Sequence, residues 1–102
     1  MMRHLGVLRG GGTLESHDEI LGRVDFEFDG YLMRPGEVVA SGEIRMAADA
    51  LTNAFGRRNI SLRTDDGRLL ALRFSAKRQG TPNDAAHVDV HDGLPPEKEW
   101  RR

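Results

Sequence analysis

Residues 59–75 read NISLRTDDGRLLALRFS, two apolar alternating segments on either side of Asp65-Asp66-Gly67. How the two segments face each other decides the fold. A two-residue Asp66-Gly67 loop would set Thr64 against Leu69 and Leu62 against Ala71, leaving Ile60 and Leu62 on the opposite face from Leu70, Leu72 and Phe74. Side chains alternate with period two, so one more loop residue restores agreement. Thr64 then faces Arg68, Leu62 faces Leu70 and Ile60 faces Leu72. The loop Asp65-Asp66-Gly67 is a type I turn closed at positive φ, where Gly67 has no Cβ to clash. Ser61, Arg63, Ala71 and Arg73 fall on the other, wetter face.

Upstream, Val24, Phe26 and Phe28 alternate with Asp25, Glu27 and Asp29, the pattern of a half-buried antiparallel strand. Leu32 continues the apolar side beyond Gly30. Arg34-Pro35-Gly36 is a turn. Glu37 to Met46 follows with Val38, Ala40, Gly42, Ile44 and Met46 inward, and Phe28 is placed opposite either Gly42 or Ile44. Between Ala47 and Gly56 the period changes: Asp49 can accept from free amides at a helix start, Leu51 and Phe55 share a face, and one short helix is predicted over about 49–55. Downstream, Ala76 to Asp84 reads as a loop. Ala85 to His91 then alternates, with Ala86, Val88 and Val90 inward and His87, Asp89 and His91 outward. Gly93-Leu94-Pro95-Pro96 ends that strand.

The ends are harder to place. Arg3 to Arg9 is a short first strand, Gly10-Gly11-Gly12 a flexible joint and Glu15 to Glu19 a loop. The ordered β core is expected over about 21–92. The tail, 93–102, is expected to be loosely held, with Trp100 as its anchor. Together these elements predict an all-β chain: a small antiparallel β-barrel or strongly curled sheet of five to six strands with one short helix.

With 102 residues the chain is long enough for a single domain (1–102) that folds without staples. There is no cysteine, which removes disulfides, thiolate metal sites and thiol nucleophiles. No apolar run approaches a membrane span, and residues 1–12 lack the core of a signal peptide. A cytoplasmic location with no membrane partner is the expectation. Thirteen arginines against two lysines fit the codon usage of a GC-rich bacterium.

The net charge of −1 conceals a segregation: residues 1–56 carry −4, residues 57–78 carry +5 and residues 79–102 carry −2. The basic segment holds Arg57, Arg58, Arg63, Arg68 and Arg73, with Lys77 and Arg78 beyond. Guanidinium groups take phosphate and carboxylate in two-pronged fashion, so these five arginines are the anion-binding candidates. The plainer alternative pairs Arg63 and Arg73 with the acidic row Asp25, Glu27 and Asp29, within the chain or in a partner. Aromatic platforms for single-stranded nucleic acid are not expected, since the core claims Phe26, Phe28 and Phe74.

His87-x-Asp89-x-His91 supplies metal-ligand chemistry, but alternate strand residues rise about 6.7 Å apart, and a metal cannot gather all three without a bulge. Ser16-His17-Asp18 has nucleophile, base and acid side by side, where they seldom converge on one atom. No glycine-rich phosphate loop is present.

Arg57-Arg58-Asn59-Ile60-Ser61 resembles a fragment of the PilZ cyclic-di-GMP receptor domain, a β-barrel with an R-x-x-x-R arm and a later D/N-x-S-x-x-G strand. Asn59 and Ser61 match the second motif. Thr64 stands at its glycine position and no R-x-x-x-R arm precedes, so the chain is not assigned to that family.

Three functional readings follow. The first is a non-catalytic binding module for a protein partner or for itself, without a cofactor. The second is an anion-binding module for a nucleotide or nucleic acid. The third is a metal-dependent enzyme using His87, Asp89 and His91.

Overall fold

In the computed structural model, which describes residues 2–34, 36–75 and 84–100, the hairpin takes the odd-loop register. Ile60 pairs with Leu72 and Leu62 with Leu70. The Thr64 amide donates to the Arg68 carbonyl at 2.8 Å and the Gly67 amide to the Thr64 carbonyl at 3.0 Å. Gly67 has φ +97°. The Thr64 hydroxyl also accepts the Arg68 amide at 2.8 Å and bonds to the Asp66 carboxylate, so the turn is tied from inside. The hairpin strands are β4, Ile60–Thr64, and β5, Leu69–Phe74.

Among the described residues four more strands and one α-helix join them: β1, Arg3–Ser16; β2, Glu19–Arg34; β3, Glu37–Arg45; α1, Ala48–Phe55; and β6, Ala85–Asp92. The strands form one antiparallel sheet that closes in a ring in the order β1-β2-β3-β6-β5-β4. This is the all-β architecture with one short helix that the sequence predicts, and of the five to six strands expected six form. One-residue register shifts leave Leu5, Leu21, Met33 and His91 as extra residues in their strands. Such shifts bend a strand and sharpen its twist, which a ring this small needs.

Inward residues fill the ring. Leu14, Phe28, Ile44, Leu51, Leu62, Leu70 and Val88 are fully buried, each gaining about 1.5–3 kcal/mol from leaving water. Phe28 sits opposite Gly42, not Ile44. A Cβ on Gly42 would lie 2.0 Å from the Glu27 carbonyl oxygen, so the glycine lets β2 and β3 approach. In α1, Leu51 and Ala54 are buried and Asp49 accepts the Ala50 amide at 2.9 Å in the first turn. With the interior occupied by side chains, binding sites belong to the outer face.

Three boundaries depart from the sequence reading. The β core begins at Arg3, not near 21, and Gly10–Gly12, expected as a flexible joint, lies inside β1. The triplet pairs with Phe26, Asp25 and Val24 of β2, and Gly12 also with Thr64 of β4. Partners in β2 along the whole triplet, and in β4 at Gly12, outweigh the intrinsic freedom of glycine. The loop expected over 15–19 shrinks to His17-Asp18, both at positive φ (51° and 69°), a two-residue hairpin turn of the favoured hand. The tail is held: Glu97–Glu99 forms a 3-10 turn, and Trp100 packs on Gly30 while its Nε1 donates to the Pro95 carbonyl at 3.0 Å. The turn at Pro35 and the loop over 76–83, with Lys77 and Arg78, lie outside the described residues. So do Arg101 and Arg102.

Candidate functional site

The exit of α1 leads directly into β4, and the sequence between them is Gly56-Arg57-Arg58-Asn59. Asn59 turns the chain at φ +56°, a conformation asparagine tolerates better than most residues. The β1–β2 hairpin tip clasps this connection. The Ser16 hydroxyl donates to the Arg58 carbonyl at 2.7 Å, Asn59 Nδ2 lies 3.2 Å from His17 Nε2, and Arg57 pairs with Glu19. The basic connection is therefore fixed through the Arg58 carbonyl and the Arg57 and Asn59 side chains, while the Arg58 side chain is exposed.

A groove of about 520 Å³ opens beside it on the outer face. Arg57, Arg58, Arg73, His91, Ser61 and Asn59 line it, and among the described residues no carboxylate does. Its apolar wall is Phe55 stacked on Phe74, ring centroids 4.4 Å apart with 18° between planes. Both rings are half-buried. Phe74, assigned to the core by sequence, does pack against the core, but from its edge, and it also lines this groove because it lies past the last β4 partner and meets the end of α1.

The five arginine candidates divide. Arg57, Arg58 and Arg73 come together; Arg63 and Arg68 do not. Arg63 bonds Glu15 through Nε at 3.0 Å, and Arg68 reaches Glu99 at 3.4 Å. The acidic row takes no part in these pairs: Glu27 pairs with Arg9 and Asp29 with His4, each at 3.0 Å. Arg73 stands across from Asp89 in the β5–β6 register. Neither Arg58 nor Arg73 has an ion-pair partner among the described residues.

Hydrogen bonding to Arg57, then its charge, holds the Glu19 carboxyl below the usual carboxylate range, and Arg57 is raised in turn. Glu15 raises Arg63 in the same way. These acids occupy the guanidinium groups they touch, which leaves Arg58 and Arg73 as the uncommitted cations of the groove.

The metal candidates have different surroundings. His87 Nδ1 lies 2.8 Å from the Ser75 hydroxyl, Asp89 faces Arg73, and His91 is the extra residue of its strand, turned toward the groove. Among the described residues no three His, Cys, Asp or Glu side chains gather as a metal site would require. The Ser75–His87 contact escaped the sequence reading because its members are twelve residues apart on different strands. It joins a nucleophile to a base, but no carboxylate bonds the other imidazole nitrogen among the described residues, and it extends the β5–β6 ladder already continued by the Ser75 amide and His87 carbonyl at 2.9 Å. Among the described residues, no helix is long and apolar enough to cross a membrane.

No protein-family model, curated protein or solved structure matches this chain.

Proposed function

We infer that this domain is a binding module for a phosphate-bearing anion, seated in the groove between the α1–β4 connection and β5. The carrying observation is the charge of the lining: three guanidinium groups and an imidazole, with no carboxylate among the described residues, in a chain whose net charge is −1. Two of the guanidinium groups are unpaired among the described residues, so an incoming anion displaces no internal acid from them. Ser61 and Asn59 add neutral hydrogen-bonding groups. The volume lies in the range of small-molecule sites, about 300–1,000 Å³.

The alternative of a protein partner rests on the segregation of charge along the sequence. In space that segregation is largely answered within the chain, since Glu15, Glu19 and Glu99 pair with Arg63, Arg57 and Arg68. It therefore gives less reason to invoke a partner.

The test is thermal denaturation with inorganic phosphate, pyrophosphate, nucleotides and cyclic dinucleotides. A ligand at a hundred times its Kd stabilises by about 2.7 kcal/mol, a rise of roughly 10 °C for a domain of this size. Arg58→Glu and Arg73→Glu should each remove the shift, and added salt should weaken it. No stabilisation by any of these anions at millimolar concentration would refute the reading.

A further inference from the structure

The groove does not end at Arg73. His91 lines it and also lines a second recess of about 560 Å³ that continues over β6 and β3 to β2. The recess arises where the ring is incompletely zipped. β3 pairs with β2 from Glu37 to Arg45, but its pairing with β6 stops at Ala40 opposite Val90. No strand lies beside Glu37–Val39 on the side away from β2, among the described residues, so this edge keeps backbone donors and acceptors without a ladder partner. Val38, Val39 and Val90 wall the opening, and Tyr31 stands across from Val39. Apolar walls around unpaired backbone N–H and C=O groups suit a flat heteroaromatic ring, which fills the slot and satisfies the edge.

Between slot and arginines lie Asp89, Ser41 and His91. A carboxylate and a serine there repel phosphate or are indifferent to it, but accept hydrogen bonds from sugar hydroxyls. The outer face thus presents, in order, cations, hydroxyl partners, and an apolar slot with a free strand edge. From β5 to β2 is three strand spacings, about 14 Å, which arginine side chains reaching inward shorten to the length of a nucleotide.

Building on the anion-binding reading, we propose that the ligand is a nucleotide, its phosphate on Arg58 and Arg73, its ribose against Asp89 and Ser41, and its base in the β3–β6 slot. The experiment is calorimetric titration of the full chain with ribose 5-phosphate and with the four common nucleoside monophosphates, repeated on Val39→Phe, which fills the slot from a half-exposed position, and on Tyr31→Ala. Melting curves establish that both variants fold. The expected result is that at least one nucleotide binds roughly tenfold or more tighter than ribose 5-phosphate. Both variants should erase that advantage while leaving ribose 5-phosphate within about twofold of its original Kd. Equal affinities for sugar phosphate and every nucleotide, or nucleotide binding indifferent to both substitutions, would overturn the base slot and leave the anion site standing. If neither compound binds, the anion site falls and the nucleotide proposal with it.

Discussion

Arg23 of β2 and Asp65 of the β4–β5 turn meet in a two-pronged ion pair, both N···O distances 2.8 Å, over Gly11 of the strand that separates them. A Cβ at Gly11 would lie 3.1 Å from the Asp65 carboxylate and 3.2 Å from the Arg23 guanidinium. The bare strand is what lets the two side chains join across it.

That pair gives the fold a pH dependence with a defined sign. The hydrogen bond from Arg23, reinforced by its charge, holds the Asp65 carboxyl below its ordinary value, as Arg57 does for Glu19. A carboxyl depressed in the folded state adds stability that is complete above the unfolded value and lost as pH falls through the folded one. The melting temperature should therefore decline from about pH 4 downward, and less steeply in Asp65→Asn with Glu19→Gln. Parallel curves for variant and parent would disprove this origin. The pairs are exposed, so added salt should shrink the difference.

Gly42→Ala is expected to be among the most damaging single substitutions. Its Cβ would meet the Glu27 carbonyl oxygen at 2.0 Å and the Phe28 Cα at 2.8 Å, and backbone cannot swing aside as a side chain does. A loss of about 3 kcal/mol in urea denaturation is expected. Gly56→Ala, where nothing lies within 4 Å, should cost little.

Trp100 is the chain's only tryptophan, so its fluorescence reports the docking of the tail. A Cβ on Gly30 would stand 2.5 Å from the indole ring. Gly30→Val should displace the ring, shift emission to the red and speed proteolysis between 93 and 100. Trp100→Ala should open the same segment and cost about 2 kcal/mol, below the range for a fully buried tryptophan because this one is half-buried. Unchanged emission in Gly30→Val would contradict the packing.

The turn that organises the central hairpin can be weakened by one atom. Thr64 is 5% exposed, and its hydroxyl holds the Arg68 amide. Thr64→Val keeps the shape and removes that acceptor. The expected loss is about 1–2 kcal/mol by urea denaturation, with faster hydrogen exchange at the Arg68 amide.

What the sequence disclosed was local. The period-two pattern placed Val24, Phe26, Phe28, Val88 and Val90 inward, and parity fixed the loop at Asp65-Asp66-Gly67, because either error would have turned an apolar set toward water. Gly10–Gly12 misled for the complementary reason: residues without side chains carry no alternation, and only their partners in β2, with Thr64 of β4 beside Gly12, reveal them as strand. The candidate site was half visible. The excess of positive charge singled out Arg57, Arg58 and Arg73 together with Arg63 and Arg68, but which of the five are free depends on acids at 15, 19 and 99 that no short-range pattern connects to them. Nor does composition reveal that Phe55 and Phe74 meet, that β6 gains a residue at His91, or that the β3–β6 ladder stops at Ala40.

The seam between β1 and β4 joins Gly12–Ser16 to Ile60–Thr64, segments more than forty residues apart. During synthesis the first strand can hydrogen-bond along one margin as soon as β2 has emerged, while its other margin waits until the chain past position 64 has left the ribosome. Throughout that interval a glycine-rich border stands open to neighbouring nascent chains. Closing that border against Ile60–Thr64, and the Gly11 carbonyl against the Asp65 amide, is what removes it from the reach of other copies.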